Sequence, residues 1–137
     1  MAVVARTYAQ AHQAELGKTV LAVEADAGGF APRGFSIETK PEVEPRVVAR
    51  VSQIAALLGA LGPIKATAGH SGADLIPLIP AGVPGIGVVT DGRLYFDYHH
   101  TEADTFDKVS KEDLDLCVAT LATVAFVIAD MPESLRE

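Results

Sequence analysis

The chain has 137 residues, of which 49% are hydrophobic and 21% are charged, and its formal net charge is −7. This length and composition predict one globular domain, residues 1–137, with a substantial core. The negative charge gives no electrostatic reason to expect binding of nucleic acid or of an anionic membrane surface. A single cysteine, Cys117, excludes an internal disulfide, and its apolar helical surroundings favour a buried thiol.

Hydrophobic spacing and turn residues divide the N-terminal half into short elements. The predicted segments are a helix over 3–17 ended by Gly17, a buried strand over 19–25, a loop of glycine and proline over 26–34, a short strand over 35–38, and a helix over 47–61.

The C-terminal half continues the alternation. The predicted segments are a strand within 62–67, a glycine-rich loop over 68–74, a short helix over 75–82, a strand over 83–90, a hairpin turn at 91–92 with 93–98 returning beside that strand, and a helix over 111–130. Ser110 and Asp113 form a capping box at the start of the last helix. The most apolar run, 114–129, is shorter than the roughly 20 residues that a bilayer span needs, so it predicts a buried helix.

Strands that alternate with helices predict an α/β fold, here a partial three-layer α/β/α sandwich with a mainly parallel mixed sheet. Sites in such sheets gather beyond the carboxyl ends of the strands. Three polar loops follow strand signals, at 26–34, 68–74 and 97–105, and we expect them to lie together.

Two of these loops contain residue types that bind metal ions. Asp26 follows a predicted strand, and it is either a turn aspartate that bonds its own backbone or a ligand for a cation. His100 is either a solvated loop residue or a metal ligand, because neutral imidazole is a favoured zinc ligand. Asp104, four residues later, is suited to cap a short helix or to orient a neighbouring group.

The middle loop contains His70 and Asp74. His70 is either a solvated residue or part of a pocket wall. Asp74 is interpreted as an acid at a helix N-terminus, where the helix dipole favours a carboxylate.

Three ordered motifs carry a resemblance that spans nearly all of the chain from about residue 8. VEADAGGFAPRGFSI, GHSGADLIPLIPAGVPGIGV and YHHTEADTFDKV resemble the C-terminal half of the co-catalytic zinc exopeptidases. This family includes bacterial aminopeptidases and plasma glutamate carboxypeptidase, also called carboxypeptidase Q. The E-x-D-A-G-x-F-x-P-x-G stretch and the final A-D-M match the pattern of the latter.

The resemblance implies roles for the matching positions. Asp26, the aspartate of E-x-D, corresponds to a ligand of one zinc, and His100, the histidine of H-T-x-x-D-T, to a ligand of the second. His99 stands where some relatives have a tyrosine that stabilises the tetrahedral intermediate, and an N–H donor can serve that purpose. Glu24, His70, Asp74 and Asp104 are the expected supporting or pocket residues.

The chain departs from the family pattern in one respect. It contains no H-x-D segment and no Glu-Glu pair, which supply the other zinc ligands and the general base in the family. Zinc sites need at least three protein ligands, so we expect weak or absent zinc binding and little or no activity from this chain alone. We expect the missing groups upstream of Met1.

The implied substrate of an intact enzyme is a dipeptide, a short peptide or the N-terminus of a longer peptide. A rival interpretation is a non-catalytic half-domain that associates with itself or another chain, and dimerisation through an exposed sheet edge is a hypothesis. A third is an acyl transferase similar to glutaminyl cyclases, which share the sheet but use a single zinc. Family members are often secreted or periplasmic, and no signal peptide pattern fixes the compartment here.

Overall fold

The computed structural model describes residues 2–27 and 29–136. Within them the helices and strands, in chain order, are α1 (Ala2–Ala11), β1 (Ala22–Glu24), β2 (Pro32–Glu38), α2 (Glu44–Leu57), β3 (Lys65–Ala68), β4 (Gly85–Thr90), α3 (Tyr95–Tyr98) and α4 (Lys111–Asp130). Single turns of 3₁₀ helix lie at Leu16–Lys18, Gly59–Leu61, Ile79–Ala81, Gly92–Leu94 and Phe106–Lys108. None of the helices in this part of the chain is long and apolar enough to cross a membrane.

The four strands form one mixed sheet in the order β1-β4-β2-β3. β1 pairs with β4 in parallel, β2 pairs with β3 in parallel, and the central β2–β4 pair is antiparallel. The α/β fold with a mainly parallel mixed sheet is therefore confirmed, with two of three pairings parallel.

The antiparallel central pair decides where the loops leave the sheet. The carboxyl ends of β1 and β4 lie at the same end of the sheet, so segments 26–34 and 97–105 follow strands that point the same way. The carboxyl end of β3 lies at the opposite end, so 68–74 leaves the sheet there. The expectation that all three loops follow strands at one end of the sheet is thus wrong for 68–74. That loop instead folds back across a face of the sheet, as its contacts below make clear.

The main core lies between the sheet and the helices α2 and α4. Phe35 and Ile37 of β2 and Ile86 of β4 point to this face, where they pack against Val51 of α2 and Val124 of α4. All five side chains are nearly inaccessible to solvent. The 3.6-residue spacing of the apolar positions in α2 places them on this face, as predicted.

The opposite face of the sheet is only partly covered. A smaller apolar cluster joins Leu16, Leu75, Leu78 and Val83, with Ala9 of α1 packed against it. This gives the partial third layer of the sandwich. Because side chains alternate along a strand, this face carries Ser36 and Glu38 of β2 and Glu24 of β1, and it is the face that bears the cleft.

The predicted serine cap and the last helix are confirmed, whereas the return bond from the Asp113 side chain that would complete a capping box is not among the described contacts. The Ser110 side chain accepts from the Asp113 backbone N–H, and α4 runs to Asp130. Cys117 is buried, as expected, and its thiol donates to the Phe30 carbonyl at 3.2 Å. Burial, with a smaller contribution from Asp113, raises the pKa of this thiol.

Three local predictions are wrong in instructive ways. The first helix ends at Ala11 and not at Gly17, and segment 75–82 forms turns followed by one 3₁₀ turn that ends at Gly82. β2 begins at Pro32, inside the segment predicted to be a loop. β2 needs a glycine at position 34, because the β3 backbone lies so close that a Cβ there would be 2.4 Å from the Lys65 carbonyl oxygen.

The predicted hairpin after β4 is absent from the described structure. Asp91 does not open a two-residue turn; its side chain accepts from the Arg93 N–H and caps a 3₁₀ turn. Residues 95–98 then form the short helix α3. Its helical turn brings Tyr95 beneath His99, four residues later, which a strand would not do.

Candidate metal centre

Asp26 lies two residues beyond the end of β1, where a strand-end ligand was expected. Its side chain borders two neighbouring cavities, one of about 220 Å³ and one of about 130 Å³. Asp26 is exposed, and within residues 2–27 and 29–136 its carboxylate has no hydrogen-bond or ion-pair partner. The turn interpretation needs a bond to the backbone N–H of residue 28, which lies outside the described residues, so the described contacts do not test it.

The smaller cavity brings the first and third motifs together. Asp26, His99 and Asp104 all line it, and Tyr95 forms part of the wall. The His99 ring stacks on the Tyr95 ring with centroids 4.4 Å apart, and its Nε2 lies 3.4 Å from the Tyr95 hydroxyl. His99 is thus held by an aromatic neighbour within the same small cavity as Asp26.

His100 has an unusual backbone. Its φ is +58°, and it is the one non-glycine residue with positive φ among those described. Its ring lies against the His99 ring at a centroid distance of 3.9 Å, but His100 is exposed and lines neither cavity. A left-handed residue other than glycine is uncommon and tends to occur at functional turns.

Asp104 makes no side-chain cap. The 3₁₀ turn after it begins at Phe106, and Thr105, the residue before it, makes no capping side-chain bond, while the Asp104 N–H donates to the Thr101 carbonyl at 3.2 Å. Asp104 is instead one of the residues that line the cavity with His99.

The larger cavity joins β1 to the loop after β3. It is lined by Glu24 and Asp26 on one side and by His70 and Ser71 of the loop. The pocket interpretation of Glu24 and His70 therefore matches their positions. Tyr95 lines this cavity as well as the smaller one, so the two are neighbouring parts of one cleft.

Glu38 fixes the loop onto the face of the sheet. Its Oε2 accepts from the Ser71 N–H at 2.9 Å and from the Ser71 hydroxyl at 3.0 Å, and it lies 2.9 Å from Nδ1 of His70. Partial burial raises the pKa of Glu38, but the bonds from the Ser71 N–H, His70 and the Ser71 hydroxyl together outweigh it. The net pKa of Glu38 is lowered, so this carboxylate stays ionised.

Glycines allow the loop to lie this close to the sheet. A Cβ on Gly87 would lie 2.6 Å from the Ser71 carbonyl oxygen, and one on Gly85 would lie 2.5 Å from the Ser71 hydroxyl oxygen. Gly72, with φ +131°, sits directly against the Glu24 carboxylate. The floor of the cleft is therefore shaped by residues without side chains.

Asp74 does not begin an α-helix, so its interpretation as a helix N-terminal acid is wrong. Its backbone N–H donates to Glu24 Oε2 at 2.9 Å, and turns follow it. Its Oδ1 is buried without a partner among the described residues, and Asp74 borders an apolar cavity beside α1 and not the cleft.

The donor types suit zinc, but their number does not. A carboxylate and an imidazole are both normal zinc ligands. Among the described residues, however, no three His, Cys, Asp or Glu side chains come together in an arrangement that could hold a metal ion. Taken alone, Asp26 and His100 would thus be an incomplete ligand set.

Two residues of the cleft were missed by the sequence analysis. Glu38 was detectable, since the alternation in 35–38 places it with Ser36 on the polar face of a strand. Tyr95 was hidden by the hairpin prediction, although its spacing of four from His99 is the spacing of a helix face.

Comparison with known proteins gives the family. A family profile described as "Peptidase family M28" matches residues 2–125. The chain belongs to peptidase family M28. It is 33% identical over 131 residues to carboxypeptidase Q of Mus musculus and 31% identical over 128 residues to carboxypeptidase Q of Homo sapiens. These alignments cover 96% and 93% of the chain.

A solved M28 structure has the same fold. The peptidase M28 precursor from Shewanella amazonensis SB2B superimposes with a TM-score of 0.79 at 34% identity, covering 97% of the chain and 29% of that protein. The chain spans 27% of the mouse carboxypeptidase Q and 26% of the human protein. It therefore corresponds to only about a quarter of the length of these M28 relatives.

Proposed function

We propose that this chain forms part of the active site of a zinc-dependent exopeptidase that hydrolyses terminal peptide bonds. The observation that carries the proposal is the shared cavity of Asp26 and His99, with His100 against the His99 ring. In the proposal, Asp26 is a ligand for one zinc ion and His100 a ligand for the second. Zinc in such a site acidifies a bound water and polarises the scissile carbonyl.

His99 and Asp104 have further roles in the proposal. His99, stacked on Tyr95, is placed to donate an N–H to the oxyanion that forms when the carbonyl is attacked. Asp104 lines the same cavity and is a supporting residue of the site in the proposal. The relatives named carboxypeptidase Q favour a dipeptide or short peptide as substrate. Release of an N-terminal residue, as by an aminopeptidase, is the alternative.

We expect the isolated chain to be inactive or nearly so. One protein ligand for each ion cannot hold zinc tightly, because stable sites use at least three. The general base that takes the proton of the attacking water also has to come from other residues, since the chain lacks the family's Glu-Glu pair. Another stretch of polypeptide would complete the site.

Zinc titration of the chain, followed by NMR, tests the ligand assignment. We expect Zn²⁺ to shift the ring signals of His100 with weak affinity, and we expect Asp26→Asn and His100→Asn each to remove one part of the response. Glu133→Gln, on a surface carboxylate paired with Arg50 at 2.8 Å, is the matched control. A response in which His100 is unaffected contradicts the assignment, and tight binding of two zinc ions with dipeptide hydrolysis contradicts the expected inactivity.

A second candidate function is self-association through the edge of the sheet. β1 is an edge strand in the described sheet, and Val23 on it is 39% exposed. Elsewhere on the surface, Val118 and Phe126 of α4 and Val4 of α1 are exposed. An uncovered strand edge is a typical place for pairing with another chain.

We propose that a second copy of the chain pairs along β1. Sedimentation or light scattering at micromolar concentration is expected to give a dimer. Val23→Lys is expected to shift it to monomer, because a charged side chain on an edge strand opposes pairing. Phe106→Lys is the control, since Phe106 is 89% exposed but lies outside β1, α1 and α4. A strictly monomeric chain, or a dimer that Phe106→Lys disrupts as much as Val23→Lys does, excludes this interface.

A further inference from the structure

Glu38 decides which hydrogen-bonding groups the loop after β3 presents to the larger cavity. Its Oε2 accepts from the Ser71 hydroxyl at 3.0 Å and lies 2.9 Å from Nδ1 of His70. Because the ionised Glu38 can only accept, the proton of the Ser71 hydroxyl and the Nδ1 proton of His70 are both directed to it. Glu38 is not among the residues that line the cavity, so both side chains donate outside it.

The loop therefore presents an acceptor to the cavity. In a neutral imidazole, a proton on Nδ1 leaves a lone pair on Nε2. No protein partner of Nε2 exists among the described residues, and the His70 side chain is 59% exposed where it borders the cavity. The buried Ser71 hydroxyl, whose proton is committed to Glu38, adds no donor beside it.

The rest of the cavity wall is acidic. Within the part of the chain that the structure describes, the lining has two carboxylates, Glu24 and Asp26, and no lysine or arginine. The hydroxyls of Ser36 and Tyr95 can donate or accept, so they suit ligands of either kind. Since the charged groups of the wall and Nε2 of His70 all accept, the cavity favours a positively charged ligand that only donates. Ammonium and guanidinium groups are such ligands.

Glu24 keeps acceptor capacity for such a group. Its Oε2 accepts the Asp74 N–H at 2.9 Å, and Oε1 makes no hydrogen bond or ion pair among the described contacts. In the proposed function Asp26 is committed to a zinc ion. The acceptors that remain for a second positive group are therefore Glu24 and Nε2 of His70.

The cavity runs diagonally across the sheet. Glu38, beneath His70, stands in the same row of the sheet as Ala22, since both pair with Gly85, and Asp26 follows Ala22 by four residues. From about 4.8 Å between strands and about 3.3 Å per residue, the backbones at Glu38 and Asp26 are about 16 Å apart. Side chains extend into the cavity from both ends and shorten this gap.

This length decides which positive group of a peptide reaches the His70 end. An α-amine lies two bonds, about 2.5 Å, from the carbonyl carbon of its own residue, so it stays beside the zinc ligands when that carbonyl is attacked. A lysine side chain has five bonds of about 1.5 Å between Cα and Nζ and extends about 6 Å. A basic side chain, unlike the α-amine, is long enough to cross towards the loop.

We propose that this cavity binds the lysine or arginine side chain of the residue next to the scissile bond, and that Glu38 is the positioning residue of His70. This subsite rests on the proposed exopeptidase function, and it gives that function a preference for basic peptides. Glu24 supplies the opposite charge, and Nε2 of His70 accepts one N–H of the side chain.

NMR of the full chain with ¹⁵N-labelled histidine, without zinc and at about pH 7.5, above the ordinary midpoint of imidazole, tests the subsite. The probes are Nα-acetyl-lysine amide, Nα-acetyl-norleucine amide, which has the same four-carbon stem without the charge, and alanine amide, whose only charge is the α-ammonium. We expect the lysine probe to shift Nε2 of His70 and the other two to leave it unchanged.

Three results overturn the proposal. Equal shifts with the lysine and norleucine probes would show an apolar contact. A shift with alanine amide at least as large as that with the lysine probe would mean that the α-amine binds there. No shift of His70 with any probe would show that the cavity takes none of these groups.

Variants at the two glutamates separate charge from positioning. Glu24→Gln keeps an oxygen for the Asp74 N–H and removes the charge, so it should weaken binding of the lysine probe at least about fivefold without changing the His70 tautomer. Glu38→Gln has an amide that can donate to Nδ1, so the ring proton can move to Nε2. The ¹⁵N shifts of the two His70 nitrogens should then change in opposite directions, and lysine binding should fall at least about tenfold.

Glu15→Gln is the matched control for both variants. Glu15 pairs with Nδ1 of His12 at 3.1 Å on the surface, so this change should alter the ring signals of His12 alone. If Glu38→Gln weakens lysine binding while the ring of His70 keeps its proton on Nδ1, the positioning role is wrong.

The readouts keep the subsite distinct from the zinc proposal. If Zn²⁺ shifts His100 while the lysine probe leaves His70 unchanged, the subsite is wrong and the zinc assignment stands. If the lysine probe shifts His70 while Zn²⁺ leaves His100 unchanged, the subsite stands as a cation site and the zinc assignment is wrong.

Discussion

Replacing Gly87 by alanine tests how closely the His70 loop is pressed onto the sheet. The new Cβ would lie 2.6 Å from the Ser71 carbonyl oxygen and 3.0 Å from its carbonyl carbon, well inside ordinary contact distance. Both contacts are to backbone, so no flexible side chain can turn aside. Either the loop or β4 has to move by most of an ångström.

The loop resists this movement because Glu38 holds it. A shift of that size stretches the bonds from the Ser71 N–H and hydroxyl to Glu38, which are now 2.9 and 3.0 Å. Hydrogen bonds to a charged group contribute about 1.5–3 kcal/mol each, and overpacking of a close contact costs about 1–3 kcal/mol. Since the structure relaxes in the less costly way, we expect Gly87→Ala to lower the free energy of unfolding by about 2–3 kcal/mol.

Urea unfolding followed by circular dichroism measures this loss. With a urea dependence of about 1–3 kcal/mol per molar, the midpoint should fall by about 1 M. Gly17→Ala is the control, because nothing lies within 4 Å of a Cβ there and the change should be neutral or stabilising by up to about 1 kcal/mol. In a double-mutant cycle, Glu38→Gln should reduce the cost of Gly87→Ala, since the loop is then free to yield. Equal midpoints for the two alanine variants would refute the close approach.

Four other substitutions test three separate features. His100→Val should cost about 1–2 kcal/mol in thermal unfolding, because a β-branched residue opposes the φ of +58°, whereas His100→Asn should be nearly neutral. Ser110→Ala should cost about 1 kcal/mol through loss of the α4 cap, with no effect on the His70 ring signals. Bonds from Arg93 and then from Arg33 lower the pKa of Asp91, so its contribution is present above its ordinary pKa and is lost as the pH falls below about 4. Asp91→Asn should therefore flatten the acid side of the stability profile, and an unchanged profile would show that this ion pair does not stabilise the fold.

Strong periodic signals predicted the elements that form the main core. Apolar spacing predicted the buried face of α2 and the strand at 83–90, and a serine cap predicted the start of the helix from 111 to 130. These are local patterns, and the folded chain retains all of them. β2 was predicted too short because Gly34 and Pro32 are strand breakers by propensity. The glycine is accepted because of a tertiary contact, the close pairing of Gly34 with Lys65 of β3, which no local pattern encodes, and Pro32 is accepted as the first residue of the strand.

The antiparallel central pair was likewise invisible to local patterns. Alternating strands and helices favour a parallel sheet, and the sequence between β2 and β4 contains both a helix and a strand, so either direction is compatible with it. The direction matters because it decides whether the 68–74 loop begins beside Asp26 or opposite it. Motif order identified the right loops, but the end of the sheet at which each loop begins could be assigned only from the strand pairing.

The reversed strand direction explains why so many unusual residues surround one loop. If β3 pointed to the same end of the sheet as β1, His70 would reach the cleft without crossing the sheet. Since β3 points to the opposite end, the loop has to return across the sheet face, which requires glycine at 85 and 87 beneath Ser71. The backbone of that loop also needs acceptors on the sheet, and Glu24 and Glu38 supply them from two strands. Glu24 and Glu38 therefore have a structural task, which leaves Asp26 and Asp104 as the carboxylates that line the cleft with no protein partner among the described residues.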